Sequence, residues 1–154
     1  MLHTVKAFKI TWARENGMHS HYEFTERSAK NSMERFSVLN PTMTEETIEV
    51  YLTPAIKREF QKLIKSIRES DFNTKAGCEY PKAIMTEAMM ERGEATIIFL
   101  WQGRSYTEKE REYSKAKAEK MMEIKSFTEF LNREQATAQI ELKENNNYQI
   151  RIHF

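Results

Sequence analysis

Residues 94–103, "EATIIFLWQG", hold the most continuous apolar run of the chain. Side chains along a strand point alternately to its two faces, so a run that does not alternate belongs to a strand covered on both sides. This segment is expected to be the central strand of a sheet. It is also far too short to span a bilayer, and no membrane association is expected.

On either side of it the pattern turns helical. Thr53-Pro54 pairs a capping residue with proline at the first helical position. Behind it Ile56, Phe60, Leu63, Ile64 and Ile67 fall on one stripe of a helix over 54–70. A second helix is read over roughly 81–92 from Ala83, Ile84, Met85, Ala88 and Met89, closing at Gly93. Downstream, Thr107 with Glu110 forms a capping-box pattern for a charged helix to about residue 123. Ser126 with Glu129 repeats it for a short helix ending near Gln135. The chain finishes in two alternating runs, "TAQIELK" and "YQIRIHF", around "ENNN", a hairpin pattern.

The N-terminus reads as a second hairpin, residues 3–13 against 18–25. Its register decides which face two histidines occupy. A three-residue loop Glu15-Asn16-Gly17 sets Phe8 opposite Phe24, Ile10 opposite Tyr22 and Lys9 opposite Glu23. Thr11 and Ala13 then face His21 and His19 on the solvated side. A two-residue Asn16-Gly17 loop would mix core and solvent on each face, so the longer loop is preferred. Residues 26–41, with Ser28, Asn31, Ser32 and Asn40-Pro41 as breakers, read as a long loop with a short turn of helix. "TIEVYLT", 47–53, reads as a third strand. The expected fold class is therefore α+β: a mostly antiparallel sheet with N- and C-terminal hairpins, packed by three to four helices, in a single globular domain over 1–154.

The chain has 154 residues, 40% of them hydrophobic and 31% charged, which suits one folded domain without disulfides or metal. Cys78 is the only cysteine, and the N-terminus has no signal-peptide run, so a cytoplasmic setting is expected. The formal net charge is +1, so bulk electrostatics does not call for nucleic acid. Charge is uneven locally: residues 54–70 carry five basic and two acidic groups, while 41–53 carry three acids and no base.

Four groups of residues bear on function. His19 and His21 on a strand would project to one side about 7 Å apart and could share a metal ion. A third protein ligand is needed, and Glu23 lies about 13 Å from His19 along the strand. Arg14 and His19 fit an Arg-x4-His ribonuclease spacing that works on a helix, whereas "ENG" between them makes a turn. Glu141-x-Lys143 matches the tail of a magnesium-dependent nuclease signature, but its aspartate partner is missing; Asp71 is the only aspartate. Cys78 lacks a local base. With four glycines and no phosphate-binding loop, no nucleotide or other cofactor is expected.

Two readings of the surface remain. Lys57, Arg58, Lys62, Lys65 and Arg68 could form a phosphate-binding side of helix 54–70. Arg104, Lys109, Arg111, Lys115, Lys117 and Lys120 would supply a second, glutamate-interleaved cluster, with Tyr22, Tyr106 and Tyr113 for stacking. The adjacent pairs Met89-Met90 and Met121-Met122, together with His19 and His21, could instead form an adaptable docking surface for a protein partner or for self-association. No segment carries a family-specific motif. The expectation is a small non-catalytic binding, adaptor or inhibitor protein with a protein partner. The alternatives are a nucleic-acid-binding protein using helix 54–70 and a metal-dependent hydrolase using His19 and His21.

Overall fold

The computed structural model describes residues 1–74, 78–100, 107–145 and 147–154, with Thr107 described in its backbone alone. The C-terminal part of the 94–103 strand reading, the Thr107 cap, Arg104 and Tyr106 lie outside the described residues. Contacts divide the chain into two compact units, Leu2–Val50 and Tyr51–Phe154 with Met1. The class is α+β, with every strand pairing antiparallel.

In the first unit β1 (His3–Arg14) lies between β2 (Gly17–Glu23) and β3 (Thr42–Val50). Helix α1 (Glu26–Arg35) packs on one face and is followed by a 3-10 turn, Ser37–Leu39. Here the structure corrects the long-loop reading of 26–41. The Thr25 side chain accepts from the Ser28 backbone N–H, and Glu26 sits in the first turn. These polar residues start a helix rather than break one. Only Ala29 and Met33 mark its apolar side, with Phe8 and Ile10 beneath. β3 begins at Thr42 rather than Thr47, because an edge strand needs little apolar patterning.

The hairpin register is also corrected. Ile10 pairs with His21, Trp12 with His19, Phe8 with Glu23, and Arg14 with Gly17. The chain turns on Glu15 and Asn16, and Gly17 holds φ +118°. Relative to the expected pairing this is a slip of one residue, which moves every β2 side chain to the opposite face. His19 and His21 therefore share the face of Phe8, Ile10 and Trp12.

In the second unit α2 (Pro54–Ser70), β4 (Lys82–Ile84), α3 (Glu87–Glu91), β5 (Glu94–Ile98), α4 (Thr107–Glu123), α5 (Lys125–Arg133), β6 (Thr137–Leu142) and β7 (Tyr148–His153) follow in order. The sheet order is β4-β5-β7-β6, so β5 is an inner strand, as its apolar run requires. Thr53 caps α2 by accepting from the Ile56 N–H, and Ile56, Phe60, Ile64 and Ile67 are buried. Ala95, Ile97, Ile150 and Ile152 form the sheet side of this core, and Met121, Phe127 and Phe130 add to it.

The helix read over 81–92 divides into β4 and the short α3. Thr86 accepts from the Met89 N–H and fixes the helix start there, which leaves Ala83 and Ile84 to pair with β5. The Ser126 cap is replaced as well: α5 starts at Lys125, after Ile124. Gly93 ends the α3 turn at φ +69°, and a Cβ there would stand 2.8 Å from Tyr51 Cβ. Among the described residues no helix is long and apolar enough to cross a membrane.

Candidate functional site

The slipped register places the two histidines in a polar and aromatic cluster. Trp12 stacks on Phe36 with centroids 4.5 Å apart, His19 lies parallel to Trp12 at 6.0 Å, and His21 meets its edge at 5.3 Å. His19 Nε2 donates to Asn16 Oδ1 at 2.7 Å. His21 Nε2 is 3.1 Å from Glu23 Oε1 and 3.3 Å from Ser32 Oγ, and Ser32 Oγ donates to the same Glu23 oxygen at 2.7 Å. Ser32 is only 4% exposed.

Serine, histidine and glutamate in contact invite comparison with a nucleophile relay. A relay places the imidazole between the other two, with one ring nitrogen on each. Here the serine proton goes directly to the carboxylate, and His21 uses a single nitrogen toward both partners. The triangle is a closed staple between β2 and α1. As to metal, His19 and His21 take separate partners, and among the described residues no three His, Cys, Asp or Glu side chains form a metal-holding group.

Glu141 and Lys143, noted for their nuclease-like spacing, lie by the outer face of the second sheet. Arg151 brackets the Glu141 carboxylate at 3.0 and 3.2 Å through Nε, Gln149 donates to it at 2.7 Å, and Lys143 lies 3.7 Å away. Burial pushes the Glu141 carboxyl up. The Arg151 and Gln149 hydrogen bonds and the Arg151 and Lys143 charges outweigh it, so the net shift is downward. A carboxylate held this way is neutralised in place rather than open to a metal.

The sign of its pH effect follows. A depressed folded pKa contributes stability above the unfolded carboxylate range, and that stability is lost as pH falls through the folded value. Arg151→Met is expected to raise the Glu141 titration midpoint, followed by carboxyl NMR. An unmoved midpoint would show that Arg151 is not what holds it down.

The methionine surface does not form as expected. Met121 is fully buried, and Met90 and Met122 pack against the core, while Met89 is half-buried. Ser114, Ala118, Met121 and Met122 make one i, i+4, i+7, i+8 stripe on α4, so both methionines of that pair lean inward.

The five α2 cations separate. Arg68 is half-buried and its Nη1 donates to the Cys78 carbonyl at 3.3 Å, which ties down the segment after the helix. Lys57 is half-buried, whereas Arg58, Lys62 and Lys65 are exposed. Lys57, Arg58, Lys62 and Lys65 have no ion-pair partner among the described residues. Glu59 is occupied by Arg133 of α5. Arg58, Lys62 and Lys65 follow i, i+4, i+7 spacing and make a single cationic stripe, with exposed Glu69 at its end.

The second basic cluster is more engaged. Lys120 Nζ donates to the Asp71 carbonyl at 2.6 Å and stands over the Phe72 ring. Lys117 stands over Phe72 and Tyr113, and Tyr113, which burial raises above its ordinary pKa, is half-buried. Tyr22 donates to Glu46 at 3.0 Å. Comparison with protein-family models, with curated proteins and with solved structures finds no match.

Proposed function

We propose that the protein binds nucleic acid through the outer face of α2 and catalyses no reaction on it. The observation that carries this reading is the stripe of exposed cations Arg58, Lys62 and Lys65, which have no ion-pair partner among the described residues. Such a stripe is locally unfavourable. Arg58 and Lys62 are four apart and Lys62 and Lys65 three apart, and each like-charge pair of this kind destabilises a helix by about 0.2–0.5 kcal/mol. No acidic residue lies in the first turn of α2 to temper the positive end of the helix. Of the two exposed glutamates of α2, Glu59 is taken by Arg133 and Glu69 meets the row only at its end, whereas on α4 the glutamates interleave with the cations. A polyanion removes the repulsion by occupying the face. The protein-partner reading drew on the methionine pairs, and Met121 has no surface to offer.

Lys62→Glu with Lys65→Glu tests the reading by salt-dependent gel shift. Binding of the parent chain should weaken steeply with salt, and the variant should lose most of it. Stability should change little, since the carboxylate at position 62 would pair with Arg58 while the one at position 65 would meet it and Glu69 as like charges. Undiminished binding by the folded variant would sink the proposal.

A further inference from the structure

We infer that the nucleic acid held by this face is double-stranded and gripped through its phosphates; the inference rests on the reading of α2 as the interface. Proteins that take single strands without sequence preference combine cations with aromatic side chains on which bases stack. The exposed side of α2 carries Arg58, Lys62 and Lys65 together with Glu59 and Glu69, and no aromatic residue. Among the described residues, the rings that lie under other cations are buried, as Phe8 and Phe130 are, or half-buried, as Phe36, Phe72 and Tyr113 are. Tyr22 spends its hydroxyl on Glu46, and Tyr51, 47% exposed, precedes α2 with its Cβ and ring set beside Gly93 rather than on the outer side of the helix. Among the described residues, the face of α2 that holds the free charge therefore carries no stacking ring of its own.

The charge pattern suits a duplex. From Arg58 to Lys65 the helix advances about 10 Å at 1.5 Å per residue, as a straight and rigid row. Over that distance a duplex presents about six phosphate charges at one per 1.7 Å, and these too are held in a rigid wall. A single strand would have to be ordered along the row with no stacking to hold it there. With the cations on one rigid helix and the phosphates on one rigid duplex, only the side chains themselves have to be ordered.

The test is fluorescence anisotropy of the full chain with a short DNA duplex and with each of its strands alone, across a range of salt. The duplex should bind on the order of tenfold more tightly than either strand at low salt. Its log K against log salt should slope at about −3, the value for three phosphate contacts at about −0.9 each. Lys62→Glu with Lys65→Glu should bring that slope to about −1. Strands that bind as tightly as the duplex would overturn the inference and leave the α2 interface standing. An unchanged slope in the variant would overturn the α2 interface and the inference with it, as would no binding of either form at low salt.

Discussion

Phe60→Ala is expected to destabilise the Tyr51–Phe154 unit by about 3–5 kcal/mol, the range for emptying a buried aromatic site. Phe60 is fully buried on α2, stacks on Phe130 of α5 at 5.4 Å, and meets Phe154 edge-on at 6.3 Å. Phe130 and Phe154 also meet edge-on at 6.1 Å, so three rings close on one another. Removing one ring leaves a cavity that the other two cannot fill without giving up their own edge-on contact. Each lost aromatic contact adds about 0.5–1.5 kcal/mol to the area term. Domains are stable by about 5–15 kcal/mol in total, so this single change should consume much of the margin. Urea unfolding followed by circular dichroism measures it. A loss under about 1 kcal/mol would mean that the three rings do not form the core of this unit. Phe60→Leu, which keeps most of the volume, should cost much less.

The same residue shows why α2 could be read from sequence. Thr53-Pro54 starts the helix, and the apolar stripe from Ile56 through Phe60 to Ile67 repeats at helical spacing for about three turns, so local and tertiary signals agree. The inner strand β5 and the C-terminal hairpin were legible for a similar reason, since strand patterning is unambiguous when one or both faces are covered. Legibility failed where a segment is short or its apolar side is thin. α1 has two apolar contacts with its sheet, and its capping serine and threonine look like loop residues. β4 and α3 are three and five residues long, so the apolar run across them has helical spacing by accident.

The α2 cations were legible as a group, but not their division. That Arg68 turns to the Cys78 carbonyl depends on where a later segment passes. The methionine pairs misled because adjacency on a helix does not force one side chain outward when the core stripe is wide. The histidine pair misled through a single-residue slip. A register that sets apolar residues opposite apolar residues needs Phe24 and Tyr22 on the core side of the hairpin. In the structure that face is completed by histidine, glutamate and serine.

That polar completion leads to the second large effect. Glu23→Ala is expected to destabilise the Leu2–Val50 unit by about 1–3 kcal/mol, the cost of leaving a buried polar group without its partner. Glu23 Oε1 takes the Ser32 hydroxyl proton at 2.7 Å, and without it Ser32, 4% exposed, keeps only the longer contact with His21 Nε2 at 3.3 Å. His21, 13% exposed at its side chain, loses the same acceptor. The apolar core of this unit is small, with Phe8, Ile10 and Ala29 buried and Trp12 and Met33 half-buried around them, so little else compensates. Glu23→Gln keeps a carbonyl oxygen for Ser32 and should cost less. Ser32→Ala removes the donor instead of the acceptor, and in the Glu23→Ala, Ser32→Ala pair no hydroxyl is stranded. The double change should therefore cost less than the sum of the single ones, by about 0.5–3 kcal/mol of coupling. Hydrogen exchange of the β1 and β2 amides would read the loss in this unit directly. If Glu23→Ala falls within about 0.5 kcal/mol of the parent, as an ordinary surface substitution does, the triangle is not what binds α1 to its sheet.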